Sequence, residues 1–242
     1  MTYSKTYDIL SIGAHPDDVE VGTGGVLIDQ AARGRKCGLV ILTKGEMGTG
    51  GTAEIRQNEV AAAAQILGAD IVAQFDWGDT KLEDTYDHRL AVAEVIRRTR
   101  PKIILAPYPQ VGHGRRQSHP DHVAAGVIAI NAANLAALKK VDVPGERHLV
   151  TRIFHYFLPY GVSPTFVVDI SEHFEQWITA LSAHESQFLN PEKSRDYIDG
   201  LTTMARSYGS LARCKYGQGF KAVETILVKD IMSLVEGQEG YR

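Results

Sequence analysis

The sequence predicts an α/β domain built on a mostly parallel, doubly wound sheet with helices on both faces. Three observations carry this. Short apolar runs alternate with longer segments of helical period over the first 140 residues, the pattern of a parallel sheet joined by crossover helices. The chain of 242 residues is 44% hydrophobic with no dividing linker or low-complexity tract, enough apolar material for one domain spanning 1–242. Two histidine- and aspartate-rich runs fall where an apolar run gives way to a helical segment, which in such sheets is the ligand-binding edge.

Each element has its own signal. Apolar runs over residues 7–12, 38–42, 71–75 and 103–106 read as strands, each followed by a helical pattern, over 20–33, 53–67, 88–99 and 120–138. Thr52 with Glu54 reads as a helix cap with an acid in the first turn, favourable toward the N-terminal end of the helix dipole. Pro101 closes the third helix before its strand. Beyond Pro144 the alternation loosens: residues 153–158 and 166–170 read as strands, Ser171 as the cap of a helix running to about His184, and 222–228 as a last strand.

Charge and cysteine usage exclude several classes of partner. A net charge of −3 with both signs interspersed gives no footprint for nucleic acid. No apolar run reaches the ~18 residues that span a bilayer, and the first residues form no secretory signal. Cys37 and Cys214 lie far apart without metal-type spacing, so free thiols in a reducing compartment are expected. These features point to a cytoplasmic protein acting on a small molecule, with no membrane partner.

The chemistry concentrates in His15-Pro16-Asp17-Asp18 and His119-Pro120-Asp121-His122. With strand order 3-2-1-4-5, the strands that precede the two runs are neighbours, so their carboxyl ends share one crevice. Residues three apart at a helix start face the same way. His15 and Asp18 can therefore share an ion with His122, while Asp17 and Asp121 are expected to point elsewhere. Two imidazoles and one carboxylate leave coordination positions open, as catalytic zinc sites do. Asp17 is then placed to take a proton from a water that the ion acidifies. His119 is expected to stabilise an oxyanion or protonate the leaving group, with Asp121 keeping it charged.

These residues, with Arg56 shortly after a glycine-rich loop, resemble the PIG-L/LmbE superfamily of zinc-dependent de-N-acetylases. The likeness extends through Phe166-Val167-Val168-Asp169-Ile170-Ser171, His184-Glu185-Ser186-Gln187-Phe188 and Tyr216-Gly217-Gln218-Gly219-Phe220. These later segments resemble the branch that includes N-acetylglucosaminyl-malate deacetylases. The resemblance implies a Rossmann-like three-layer sandwich and hydrolysis of the acetamide of an N-acetylglucosamine-type sugar or its conjugate. It also implies a Zn²⁺ cofactor, with another divalent transition metal as the alternative. It repeats the ligand roles of His15, Asp18 and His122 and the base role of Asp17, and adds substrate contact by Arg56 and Tyr197. It points further to a homo-oligomer, a trimer or hexamer.

The chain departs from the branch pattern in two places. The segment 108–118 is long and carries Arg115 and Arg116, weighed evenly between surface charge and a substrate anion site. Gln218 stands where a glutamate is common. Each functional reading also has a plainer rival. His-Pro-Asp-Asp alone could simply start a helix, and Arg56 could be a solvated residue paired with Glu54 or Glu59. The remaining histidines, 88, 113, 148, 155, 173 and 184, read as structural or exposed. Gly22-Thr23-Gly24-Gly25 falls inside a helix rather than at a strand–helix turn, so it reads as close packing or room for a ligand, not as a dinucleotide fingerprint. A nucleotide-binding Rossmann-type oxidoreductase would need a phosphate cradle where two carboxylates stand. A non-catalytic metal- or carbohydrate-binding module would have no use for Asp17.

Overall fold

In a computed structural model, residues 5–111, 118–191 and 196–235 are described. The first half runs β1 (Ile9–Gly13), α1 (Asp18–Ala32), β2 (Cys37–Ile41), α2 (Ala53–Leu67), β3 (Ala69–Gln74), α3 (Tyr86–Thr99), β4 (Ile103–Pro107) and α4 (Pro120–Ala137). The second runs β5 (Arg152–Tyr156), β6 (Phe166–Asp169), α5 (Phe174–Ser182), α6 (Glu185–Phe188), α7 (Tyr197–Ala212) and β7 (Gly217–Ala222). The sheet order is β3-β2-β1-β4-β5-β7-β6. Strands β3 to β5 pair in parallel, and β7 lies antiparallel to both β5 and β6.

β1 is buried along its whole length because both faces of the sheet are covered, as parallel sheets require. Its side chains alternate: Ile9 packs with Leu27, Leu181 and Trp177 under α1 and α5, while Leu10 and Ile12 pack with Ile96, Ile104 and Ile128 under α3 and α4. β1 and β4 are adjacent, with Ile9 opposite Ile103, and the chain leaves them toward opposite faces. This is the switch point of the sheet, and both histidine–aspartate runs sit on its carboxyl edge. The Thr52 hydroxyl accepts from the Ile55 amide and caps α2.

The second half departs from the sequence expectations. The last strand is Gly217–Ala222, not 222–228. Its glycines allow the approach: a Cβ on Gly217 would lie 2.4 Å from Val167 Cγ1, and one on Gly219 would lie 2.5 Å from the Tyr208 ring. Close packing thus selects a run that β-propensity disfavours. The helix expected from Ser171 to about His184 is present as a 3₁₀ turn, Ser171–His173, that leads into α5, and the short α6 follows it. Helix α7 had no expectation, since Gly200, Thr202, Thr203, Ser207 and Gly209 dilute its helical signal. Its burial against β6 and β7 overrides that local preference. No helix among the described residues is long and apolar enough to cross a membrane.

The glycines of α1 serve packing. A Cβ on Gly22 would lie 2.0 Å from the Tyr156 ring, and Gly24 meets Trp177 in the same way. Here Gln218 finds its role. Its Oε1 accepts from the Val26 amide at 3.0 Å, and its Nε2 donates to the Val21 carbonyl at 3.3 Å. It bridges α1 as both acceptor and donor, which a glutamate could not do.

Candidate metal centre

β1 ends at Gly13, and the chain turns sharply into α1 through Asp17, whose φ of 115° and ψ of −24° form a left-handed conformation in a residue with a Cβ. Such strain persists only where the surroundings over-determine it. The Asp18 carboxylate accepts from the His15 amide at 2.8 Å, and the Val21 amide donates to the Asp17 carbonyl at 3.0 Å. Arg56 closes the turn from α2, donating to the Pro16 carbonyl at 2.7 Å and lying 3.3 Å from the Asp17 carboxylate. Its other nitrogen donates to the Gly45 carbonyl.

The second run opens α4 without strain. Pro120 takes the first helical position, where its missing N–H costs nothing. His119 caps the helix, its Nδ1 accepting from the Asp121 amide at 3.2 Å.

Across the switch point the His15, His119 and His122 rings converge, with centroids 4.7 to 5.3 Å apart. Asp18 Oδ1 lies 3.0 Å from His122 Nε2, and Asp18 Oδ2 lies 3.5 Å from His15 Nδ1. Ligands about 2.1 Å from a tetrahedral ion stand about 3.4 Å apart, and each of these spacings, one to each Asp18 oxygen, is near that value. The far nitrogen of His15 is also arranged: Nε2 lies 3.1 Å from both Asp121 Oδ2 and Asp79 Oδ1. A carboxylate behind a ligating histidine fixes its tautomer and directs Nδ1 inward. Asp79 is held by the Met47 amide and Asp121 by the Thr80 amide. Among the described residues, the donor groups whose ligand atoms all lie within 4.8 Å of one another are His15 with His119 and His122 and His15 with Asp79 and Asp121; Asp18 joins neither. In the second, His15 Nε2 faces two carboxylates, an arrangement that serves better as support.

Electrostatics separate the groups. Burial raises the Asp17 carboxyl, Asp18 raises it further, and Arg56, His184 and His15 only partly offset this, leaving it at about 6. Burial opposes ionisation of Asp18 too, but His122 and His15 hold it well below the usual carboxylate range. Burial would lower His15, yet Asp18, Asp79 and Asp121 raise it to about 9, so an ion must displace a proton there. His119 is lowered, by burial first and then by its neighbouring histidines.

These positions correct several expectations. Asp121 faces His15 and does not hold His119 charged; His119 is a near-neutral imidazole whose Nδ1 is already an acceptor. Arg56 is buried, with its fork on the Pro16 and Gly45 carbonyls. It braces the Asp17 turn, and Glu59 pairs with Ser186. Tyr197 begins α7, its ring near that of Phe188. Arg115 and Arg116 lie outside the described residues. Asp79, not foreseen, follows β3 on the same carboxyl edge of the sheet, and that position was its available signal.

His119 and His122 border an open cleft of about 890 Å³ between the segment after β5 and helix α7, with Phe157, Tyr160, Thr203, Met204 and Tyr208 on its walls. Apart from the two histidines, no ionisable acid or base of the Asp, Glu, Lys or Arg type lines it among the described residues.

Residues 10–133 match the family of GlcNAc-PI de-N-acetylases, PIG-L. The chain belongs to this family. It is an N-deacetylase of a metal-dependent type. It is 32% identical over 240 residues to a diacetylchitobiose deacetylase of Thermococcus kodakarensis, covering 93% of this chain and 86% of that one. Its structure is similar to that of a conserved protein of Thermus thermophilus, with 37% identity, TM-score 0.82, and coverage of 92% of this chain and 97% of that one. It is also similar to an N,N'-diacetylchitobiose deacetylase of Pyrococcus horikoshii, with 28% identity, TM-score 0.79, and coverage of 88% and 82%.

Proposed function

We propose that this deacetylase uses zinc to hydrolyse the acetamide of an N-acetylglucosamine unit whose leaving portion is a neutral glycan of the diacetylchitobiose kind. The observation that carries the reading is the His15–Asp18–His122 set, whose His122 borders a roomy cleft walled, among the described residues, by uncharged and aromatic side chains. Aromatic faces suit sugar rings, and among the described residues these walls carry no Lys or Arg to draw an anionic conjugate. The diacetylchitobiose deacetylases among its relatives agree with that choice over a malate conjugate.

His15, Asp18 and His122 would hold the ion, which supplies Lewis acidity toward the acetamide carbonyl and toward water. Asp17, set near neutrality and braced by Arg56, accepts a proton as the water oxygen adds to the acyl carbon. The Nδ1 of His119 is occupied by the Asp121 amide, so its Nε2–H is the donor toward the oxygen that gains negative charge. The C–N bond then breaks and Asp17 returns the proton to the nitrogen, releasing acetate and a free amine.

The test is acetate release from diacetylchitobiose, free N-acetylglucosamine and its malate and inositol conjugates, each with and without a chelator. Release from diacetylchitobiose that chelation abolishes and zinc restores is the expected result. Preference for an anionic conjugate would overturn the neutral leaving group, and release unaffected by exhaustive chelation would overturn the metal.

A further inference from the structure

The first turn of α1 gathers three acids, Asp17, Asp18 and Glu20, in four positions. Asp18 faces the histidines and Asp17 faces Arg56. Glu20 is 1% exposed and points away from both, into the packing between α1, α2 and α6, where it meets His184, itself 0% exposed, at 3.4 Å. The approach makes no hydrogen bond, so Glu20 Oε1 and both ring nitrogens of His184 have no hydrogen-bond partner. A buried carboxylate this close to the Asp17 turn needs a counter-charge.

We propose that His184 is a positioning residue for the reaction: it compensates Glu20 behind the first turn of α1 and so keeps the Asp17 carboxylate aimed at its task. The placement of His184 is itself over-determined. Its amide donates to the Leu181 carbonyl at the end of α5. Two residues on, Ser186 donates its amide and hydroxyl to the two oxygens of Glu59 at 2.7 and 2.8 Å. Glu59 lies one turn after Arg56 on the same face of α2. The result is a closed circuit: Arg56 holds Asp17, Glu59 holds Ser186, and His184 meets Glu20, three residues after Asp17. Burial alone would keep His184 neutral, but Glu20 and then Asp17 and Glu59 raise its pKa, in keeping with a compensating charge. Without His184, Glu20 is left buried and unpartnered three residues after Asp17, and the strained turn is free to relax.

The inference rests on Asp17 being the base, and the experiment keeps the two apart. In the zinc-loaded enzyme, assayed on whichever substrate releases acetate, His184→Leu is expected to lower kcat about tenfold or more. KM should stay within about threefold, with metal stoichiometry unchanged. The metal-free protein should melt roughly 5 °C lower. Adding Glu20→Gln to His184→Leu removes the uncompensated charge and is expected to restore most of both losses, whereas a merely space-filling role for His184 would not be rescued that way. If His184→Leu does not fold, His184→Gln and its Glu20→Gln double variant are read instead. Unchanged kcat, metal loss in parallel with activity, or no recovery in the double variant would overturn the proposal. Full activity of Asp17→Asn would instead remove the base reading on which it stands.

Discussion

The two histidine–proline–aspartate turns share three of four residues and differ in almost everything the fold makes of them. In the first, the helix begins at the fourth residue, Asp18, after a left-handed Asp17. In the second it begins at the second residue, Pro120, after an extended His119. The first turn is buried and clasped by Arg56; the second opens on the cleft. The comparison teaches that a strained, enclosed turn suits a group whose orientation must not vary, while a relaxed cap suits one that meets the substrate. In the proposed reaction Asp17 and His119 divide along that line.

The sharpest way to break the comparison is to remove the chemistry of the enclosed turn. Asp17→Asn should keep the divalent ion, measured by metal content, yet lower kcat by about 10²–10⁴; loss of the metal instead would mean that Asp17 is a ligand. On the open side, His119→Ala should lower kcat by about 10²–10³ as a lost oxyanion donor does. Because the turn there is relaxed, its melting temperature should barely change, and a large drop would show that the cap matters more than the chemistry.

The two turns meet where Asp121 supports His15. Asp121→Asn should weaken metal affinity about 10–100-fold in a competition titration, with Asp79 retaining part of the support; unchanged affinity would place the support on Asp79 alone. The smallest effect is expected in the packing across α1. Gln218→Glu replaces an amide that both accepts and donates across α1, and should cost about 1–3 kcal/mol in denaturant unfolding. No change would show that α1 bridges its own Val21 and Val26 groups without help.

The parallel half of the fold was legible because local and tertiary demands agree there. β1 to β4 are apolar runs, the helices between them carry caps such as Thr52, and the doubly wound order brings the two histidine runs together. The antiparallel half was not. Gly217 and Gly219 form a strand because Val167 and Tyr208 need the room, while the more strand-like 222–228 is unpaired beyond Ala222 among the described residues. No local propensity contains that information.

The same division holds within the site. Residue type and spacing alone singled out His15, Asp18 and His122 as candidate ligands, because side chains three apart at a helix start are expected to share a face. Sequence also marked Asp17 as an acid beside that set. What only the tertiary structure decided is which partner each group meets: Asp121 behind His15 rather than beside His119, Arg56 on the Asp17 turn, Asp79 joined from the end of β3, and His184 against Glu20. Each of these contacts joins elements distant in sequence, and its energy comes from burial that pairs charges across the packed layers. A one-dimensional pattern fixes which way neighbours point along a helix, but not what the other helices bring to meet them.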